Sequence, residues 1–311
     1  MFLLLLQLFL VTGGWAKQVA MYWGQDMGGG ELSLAQYCND TSVDIIVISY
    51  LSDFNGLKQP KMGLKSACSS QWCTSVGGDI RECQEKGKKV LLSLGGPKGV
   101  YNIGTDETAK SLAQQLWTMF FDRSNTIQPL GEVSLDGIDL SPMNLQGMHY
   151  TEMVDEMRKF SQESKKKIIV SVSPGCKFPD TNLDDVITNG QIDMLFIRFF
   201  NDEKCDQDFN QAIQKWNQLT LEKPALKLFV GIAASRQVAD SGFMPLDNIK
   251  YRLDAVRKSI KSYGGIALTD ASAAFGEDGF GKELAEFVHS HAALSRPNFA
   301  VFLPLVLFFM V

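Results

Sequence analysis

The sequence predicts a single α/β barrel of the (β/α)8 TIM type, and three observations carry that expectation. Short β-branched apolar runs alternate with amphipathic helical stretches from about residue 17 to residue 290. The runs are continuously apolar rather than strictly alternating, as parallel strands covered on both faces must be. No break in composition divides these strand–helix repeats, and a chain of 311 residues is a length that one such barrel commonly takes.

Taken in order, the expected strands are Gln18–Trp23, Asp44–Tyr50, Lys89–Leu94, Val133–Leu140, Ile168–Ser173, Met194–Phe200, Lys227–Ala233 and Gly265–Thr269. Helical patterns lie between them at Thr105–Phe121, Met148–Glu163, Phe209–Leu219 and Asp247–Ser262. Leu112, Leu116 and Met119 form an apolar stripe in the first of these helices. Trp117 and Trp216 fall on helical stretches and are read as packing residues. A doubly wound open sheet is the rival fold, but no G-x-G-x-x-G follows the first strand. Gly28-Gly29-Gly30 is read as a flexible turn. Walker, H-E-x-x-H and G-x-S-x-G motifs do not occur, so no cofactor is expected.

A net charge of −5 argues against a polyanionic partner such as nucleic acid. The longest basic run, Lys165-Lys166-Lys167, is read as a solvated helix end. Phe2 to Val11 is almost wholly apolar and is followed by Gly14-Trp15-Ala16, which marks residues 1–16 as a secretory signal. A buried N-terminal strand is the alternative. At the other end, Phe299 to Val311 is apolar to the last residue. Small residues (Ser290, Ala292, Ala293) and a polar spacer precede it, which is the order of a glycolipid (GPI) attachment signal over residues 291–311. Ser290 and Ala292 are the attachment candidates; a short tail anchor is the competing reading. Six cysteines, Cys38, Cys68, Cys73, Cys83, Cys176 and Cys205, imply three disulfides in an exported chain, and spacing alone leaves fifteen pairings open. No C-x-x-C occurs, and His149, His289 and His291 are not near cysteines, so no metal is expected. Asn39-Asp40-Thr41 is an N-glycosylation sequon.

Several segments carry a family resemblance. Val19-Ala20-Met21-Tyr22-Trp23-Gly24-Gln25 resembles the first strand of the hevamine-like class III chitinases of glycoside hydrolase family 18. Lys89-Val-Leu-Leu-Ser-Leu-Gly95-Gly96 resembles their third strand with its S-x-G-G motif. Leu135-Asp136-Gly137-Ile138-Asp139 matches the opening of their D-x-x-D-x-D-x-E signature. Cys176-Lys177-Phe178-Pro179-Asp180, Trp216-Asn217 and Tyr263-Gly264-Gly265 extend the likeness, which runs from about Gln18 to Val288. The resemblance implies the pairings Cys38–Cys83, Cys68–Cys73 and Cys176–Cys205.

It also implies a mechanism in which the substrate assists, outside the usual scheme of two catalytic carboxylates. The signature's last glutamate protonates the glycosidic oxygen, the aspartate two residues earlier orients the sugar acetamide, and a tyrosine after the sixth strand holds its carbonyl. Alternation along the strand sends positions 139, 141 and 143 into the barrel mouth. This sequence departs from the pattern there. Ser141 stands for the aspartate, Met143 for the acid, Phe200 for the tyrosine, Arg198 for a glutamine and Thr269 for a tryptophan. Met143 has no proton to donate, which removes a contribution of ~10²–10⁴-fold. Glu152, Asp155 and Glu156 lie on a helix and are read as exposed charge rather than a displaced acid.

Arg198 is expected to reach toward Asp139 and Asp136, because carboxylates in a barrel mouth are costly unless paired. Tyr22, Gln25, Tyr50, Gly95, Gly96, Asp139, Arg198 and Asn201 are the candidate ligand-binding residues. The expected function is a non-catalytic, glycolipid-anchored, monomeric pseudoenzyme on the outer face of the plasma membrane or in the cell wall, binding chitin or a related N-acetylglucosamine glycan. The alternatives are a protein-binding barrel resembling glycosidase inhibitors, and residual hydrolase activity.

Overall fold

Eight parallel strands close on one another: β1 (Gln18–Trp23), β2 (Ile45–Phe54), β4 (Lys89–Gly96), β6 (Gly137–Pro142), β7 (Ile169–Val172), β8 (Met194–Arg198), β9 (Lys227–Ala233) and β10 (Tyr263–Thr269). Pairing of β1 with both β10 and β2 completes the barrel. Two short strands, β3 (Lys61–Met62) and β5 (Val100–Tyr101), extend β2 beyond the barrel wall. The computed structural model describes residues 17–293 apart from 66–67, 69–72, 125–127, 144–148, 203–204, 206–207 and 277. The expected signal at 1–16 and the apolar tail lie outside the described residues.

Each strand is buried on both faces because the barrel gives it two cores, and most are apolar on both; the inner face of β6 instead carries Asp139 and Ser141. Ala20, Tyr22, Ile45, Val47, Leu91, Met194, Phe196, Phe229 and Ala267 pack inside the barrel. Their neighbours in sequence, such as Val19, Ile46, Leu92, Leu195 and Leu228, pack against the helices. The period of two therefore decides which residues reach the mouth.

The helices are α1 (Leu34–Cys38), α2 (Val76–Glu85), α3 (Asp106–Phe120), α4 (Tyr150–Glu163), α5 (Asp184–Asn189), α6 (Phe209–Glu222), α7 (Leu246–Ser259), α8 (Ala271–Ala274) and α9 (Phe280–Ala293). Helix α3 starts where Thr105 and Thr108 cap each other reciprocally. Leu112, Leu116, Trp117 and Met119 bury its inner face. Trp216 of α6 is fully buried, donates from Nε1 to the Cys176 carbonyl at 2.9 Å, and meets Phe178 edge-on. Three disulfides join Cys38 to Cys83, Cys68 to Cys73 and Cys176 to Cys205.

Two expectations need correction. The fourth barrel strand begins at Gly137 rather than Val133. Ser134 Oγ and the Leu135 amide instead bond to the carbonyls of Phe121 and Phe120, so the α3 C-terminus takes the polar groups a neighbouring strand would have taken. Within the basic triplet, Lys165 and Lys167 are exposed but Lys166 is half-buried. It lies over the Phe121 ring, 5.3 Å from its centroid, and burial pushes its pKa down to about 8. Ser290 and Ala292 fall in the last turn of α9, which runs three residues past the expected boundary at 290.

Candidate functional site: the mouth of the barrel

The C-terminal ends of the strands gather Tyr22, Tyr50, Asp139, Ser141 and Arg198. Strand register explains the central group. Asp139 lies opposite Ser93 on one side and Ser171 on the other, all pointing inward at the same level. Ser93 Oγ donates to Asp139 Oδ2 at 2.7 Å, and Ser171 and Ser173 donate to Oδ1 at 2.8 Å each. Tyr22 Oη adds a fourth donor to Oδ2 at 3.1 Å and lies 2.5 Å from Ser173 Oγ. Both carboxylate oxygens are thus committed to hydroxyls of the barrel itself.

Burial dominates the electrostatics. Asp139 is 0% exposed, and desolvation raises its pKa despite four hydrogen bonds that favour the anion. Tyr22 and Tyr50 are held protonated, first by burial, with the charge of Asp139 adding to the effect.

Ser141, in the position the resemblance gives to the acetamide-orienting aspartate, is 1% exposed. Met143 is half-buried, and its backbone N–H donates to Tyr101 Oη at 2.6 Å. Tyr101 donates in turn to the Gly96 carbonyl at 2.9 Å, tying the ends of β4 and β6 together. Phe200 packs on Ala233 and Ala239, and Thr269 is half-buried at the end of β10.

The other candidates are placed for architecture. Gln25 Nε2 donates to the carbonyls of Ser49 and Gly63 at 2.5 and 2.8 Å, pinning the loop after β1 to the β2–β3 corner. Gly96 has φ +86°, and a Cβ there would sit 2.5 Å from the Tyr50 ring, so only glycine lets that ring close on β4. At Gly95 a Cβ would meet the Ser141 carbonyl at 2.5 Å. Asn201 is exposed and accepts the Asp240 amide at 2.8 Å, steadying an outer loop. Asn39 of the sequon is exposed just after α1.

Asp136 does not belong to the mouth. It sits one residue before β6, at the opposite end of the barrel. There it accepts from Gln84 Nε2 at 2.9 Å, Val90 N at 3.0 Å and Lys89 Nζ at 3.1 Å, beside a cleft of about 600 Å3. The expected pairing of Arg198 with Asp136 and Asp139 is therefore absent. One carboxylate is at the far end, and the other is already saturated. Glu152 and Glu156 are half-buried rather than exposed; Glu152 lies 3.9 Å from His149 at the α4 N-terminus.

Sequence reasoning passed over Ser93, Ser171, Ser173, Tyr101 and Asp270. The serines had a signal. In Ile168-Ile-Val-Ser171-Val-Ser173, hydroxyls recur at period two within an apolar strand, which marks a polar stripe facing inward. Asp270 follows β10, is 1% exposed, and accepts the Met27 amide and Ser272 Oγ at 2.8 and 2.9 Å.

The comparisons with known proteins agree with this architecture. The family model "Glycosyl hydrolases family 18" matches residues 18–264. An acidic endochitinase of Cicer arietinum is 36% identical over 273 residues, covering 86% of this chain and 91% of that protein. Among solved structures, a xylanase and alpha-amylase inhibitor protein from Scadoxus multiflorus superposes with a TM-score of 0.76 at 26% identity, covering 88% of this chain and 97% of that one. A tamarind chitinase-like lectin superposes with a TM-score of 0.71 at 27% identity, covering 88% of this chain and 98% of its own. With the barrel, the three disulfides and a match over most of its length, the chain belongs to glycosyl hydrolase family 18.

Proposed function

We propose that the protein is a non-catalytic, surface-anchored member of its family that holds an N-acetylglucosamine glycan in the barrel mouth without cleaving it. The observation that carries this reading is the inward stripe of β6 and the residue after it. Its one carboxylate, Asp139, is buried with both oxygens filled, and a hydroxyl and a thioether follow at Ser141 and Met143. None of the three can protonate a leaving alkoxide from where it stands. Likeness to a chitinase-like lectin supports sugar binding.

Likeness to an inhibitor of other glycosidases supports a second reading, protein contact through the same face. The closed floor favours it to the extent that Ser141 and Phe200 are 1% and 7% exposed.

The apolar segments at the two ends support export followed by glycolipid attachment. No helix among the described residues is long and apolar enough to cross a membrane. One experiment addresses both parts. Cells expressing the full chain should retain fluorescent chitooligosaccharide at their surface, and phosphatidylinositol-specific phospholipase should release protein and label together. Surface protein without label would contradict the glycan reading; label that stays after the lipase would contradict the anchor.

A further inference from the structure

Arg198 is the one charged side chain that the inward stripe of β8 carries, and its surroundings have lost the partners expected for it. Met194 and Phe196 of the same strand lie in the inner core with Tyr22 and Tyr50, whereas Leu195 and Ile197 lie in the outer one. Parity therefore points Arg198 into the mouth. Its charge is felt at the Tyr50 hydroxyl, where it opposes the effect of burial. Its Nε is buried and has no hydrogen-bond partner. Among the described residues, no carboxylate forms an ion pair with it.

The acids in reach of the same tyrosine, Asp139 and Asp270, are each committed elsewhere. Asp139 takes four hydroxyls, and Asp270 takes Ser272 Oγ and the amides of Met27 and Ala273. The mouth thus presents a guanidinium with a fork of unused donors, set among tyrosines that stay neutral. A guanidinium matches planar or trigonal anionic oxygens two at a time, and a buried donor without an acceptor is a standing cost that such a ligand relieves. A neutral acetamide offers one carbonyl oxygen and leaves the charge uncompensated.

We infer that the mouth selects an acidic glycan, an N-acetylglucosamine-containing chain whose carboxylate or O-sulfate group seats on Arg198, over neutral chitin. This rests on the glycan-binding reading above and names the ligand class of that site. Arg198 then sets specificity, and the glutamine that the family resemblance places there corresponds to neutral recognition.

The test is calorimetric titration of the full chain, held in detergent at roughly 0.15 M salt. Three tetrasaccharides serve as probes: neutral chitotetraose, O-sulfated chitotetraose, and a hyaluronan fragment in which glucuronate alternates with N-acetylglucosamine. At least one acidic probe should bind roughly tenfold or more tightly than the neutral one, and the probe that gains identifies the anionic group. Arg198→Gln should erase that advantage, bringing the acidic and neutral probes to within about twofold of each other; Arg198→Lys, which keeps the charge and controls for misfolding, should retain part of it. Equal affinity for all three probes, or an advantage that survives Arg198→Gln, overturns the inference and leaves glycan binding intact. Failure of every sugar to bind, with capture of a polyglutamate peptide instead, overturns both in favour of a protein partner.

Discussion

Replacing Asp139 by alanine is expected to cost about 3–5 kcal/mol of stability, because several buried hydroxyls lose their acceptor at about 1–3 kcal/mol each. In a domain of this size, that lowers the melting temperature on the order of 10 °C. The cause is the set of donors left behind. Ser93, Ser171, Ser173 and Tyr22 all direct hydroxyls at one carboxylate in a space closed to water. Thermal unfolding followed by circular dichroism measures the loss.

The same residue carries a pH signature whose sign follows from its shift. The folded-state pKa of Asp139 is raised by desolvation above the unfolded value of about 3.9. Folding therefore favours the protonated form. The stability this residue contributes is fully present below about pH 3.9 and is lost as pH rises through the folded pKa. Asp139→Asn cannot titrate, so the margin of the native protein over this variant should be widest in acid and narrow toward neutrality. A margin that widens with rising pH would show that the carboxylate is held as an anion.

The second large effect concerns rebuilding an active centre. Ser141→Asp, Met143→Glu and Phe200→Tyr together should yield no detectable cleavage of chitooligosaccharides while Arg198 is present. A guanidinium in the mouth stabilises the anionic form of a new carboxyl group, lowers its pKa and leaves it without a proton to give. Adding Arg198→Gln should return the contribution of a general acid, about 10²–10⁴-fold over the triple variant, measured as release of shorter oligomers. Equal activity in the triple and quadruple variants would show that Arg198 does not control the site.

The fold was legible in the sequence because the barrel obeys a simple rule: each strand buried on two sides, each helix on one. Gln18–Trp23 and Lys227–Ala233 match the observed strands residue for residue. The miss at Val133–Leu140 arose where apolar residues are buried but hydrogen-bond to a helix end, a distinction that periodicity does not record.

The site was legible in part. Strand parity points Asp139, Ser141 and Met143 to one mouth, and the family resemblance adds Arg198; Asp136 shares their motif, but it precedes the strand and bonds to Lys89 and Gln84 instead. Gln25 and Asn201 are polar residues near strand ends that hold loops. Which partner a polar side chain finds depends on residues distant in sequence, such as the Gly63 carbonyl that accepts from Gln25 and the Asp240 amide that donates to Asn201.

The preserved frame and the changed mouth support the proposal that the barrel holds a glycan and leaves it whole. Incubating the full chain with an N-acetylglucosamine tetrasaccharide, followed by native mass spectrometry of the complex and of the recovered sugar, tests this directly. The expected result is a one-to-one complex, with the tetrasaccharide recovered intact after prolonged incubation. Shorter oligomers accumulating in proportion to protein concentration would contradict it.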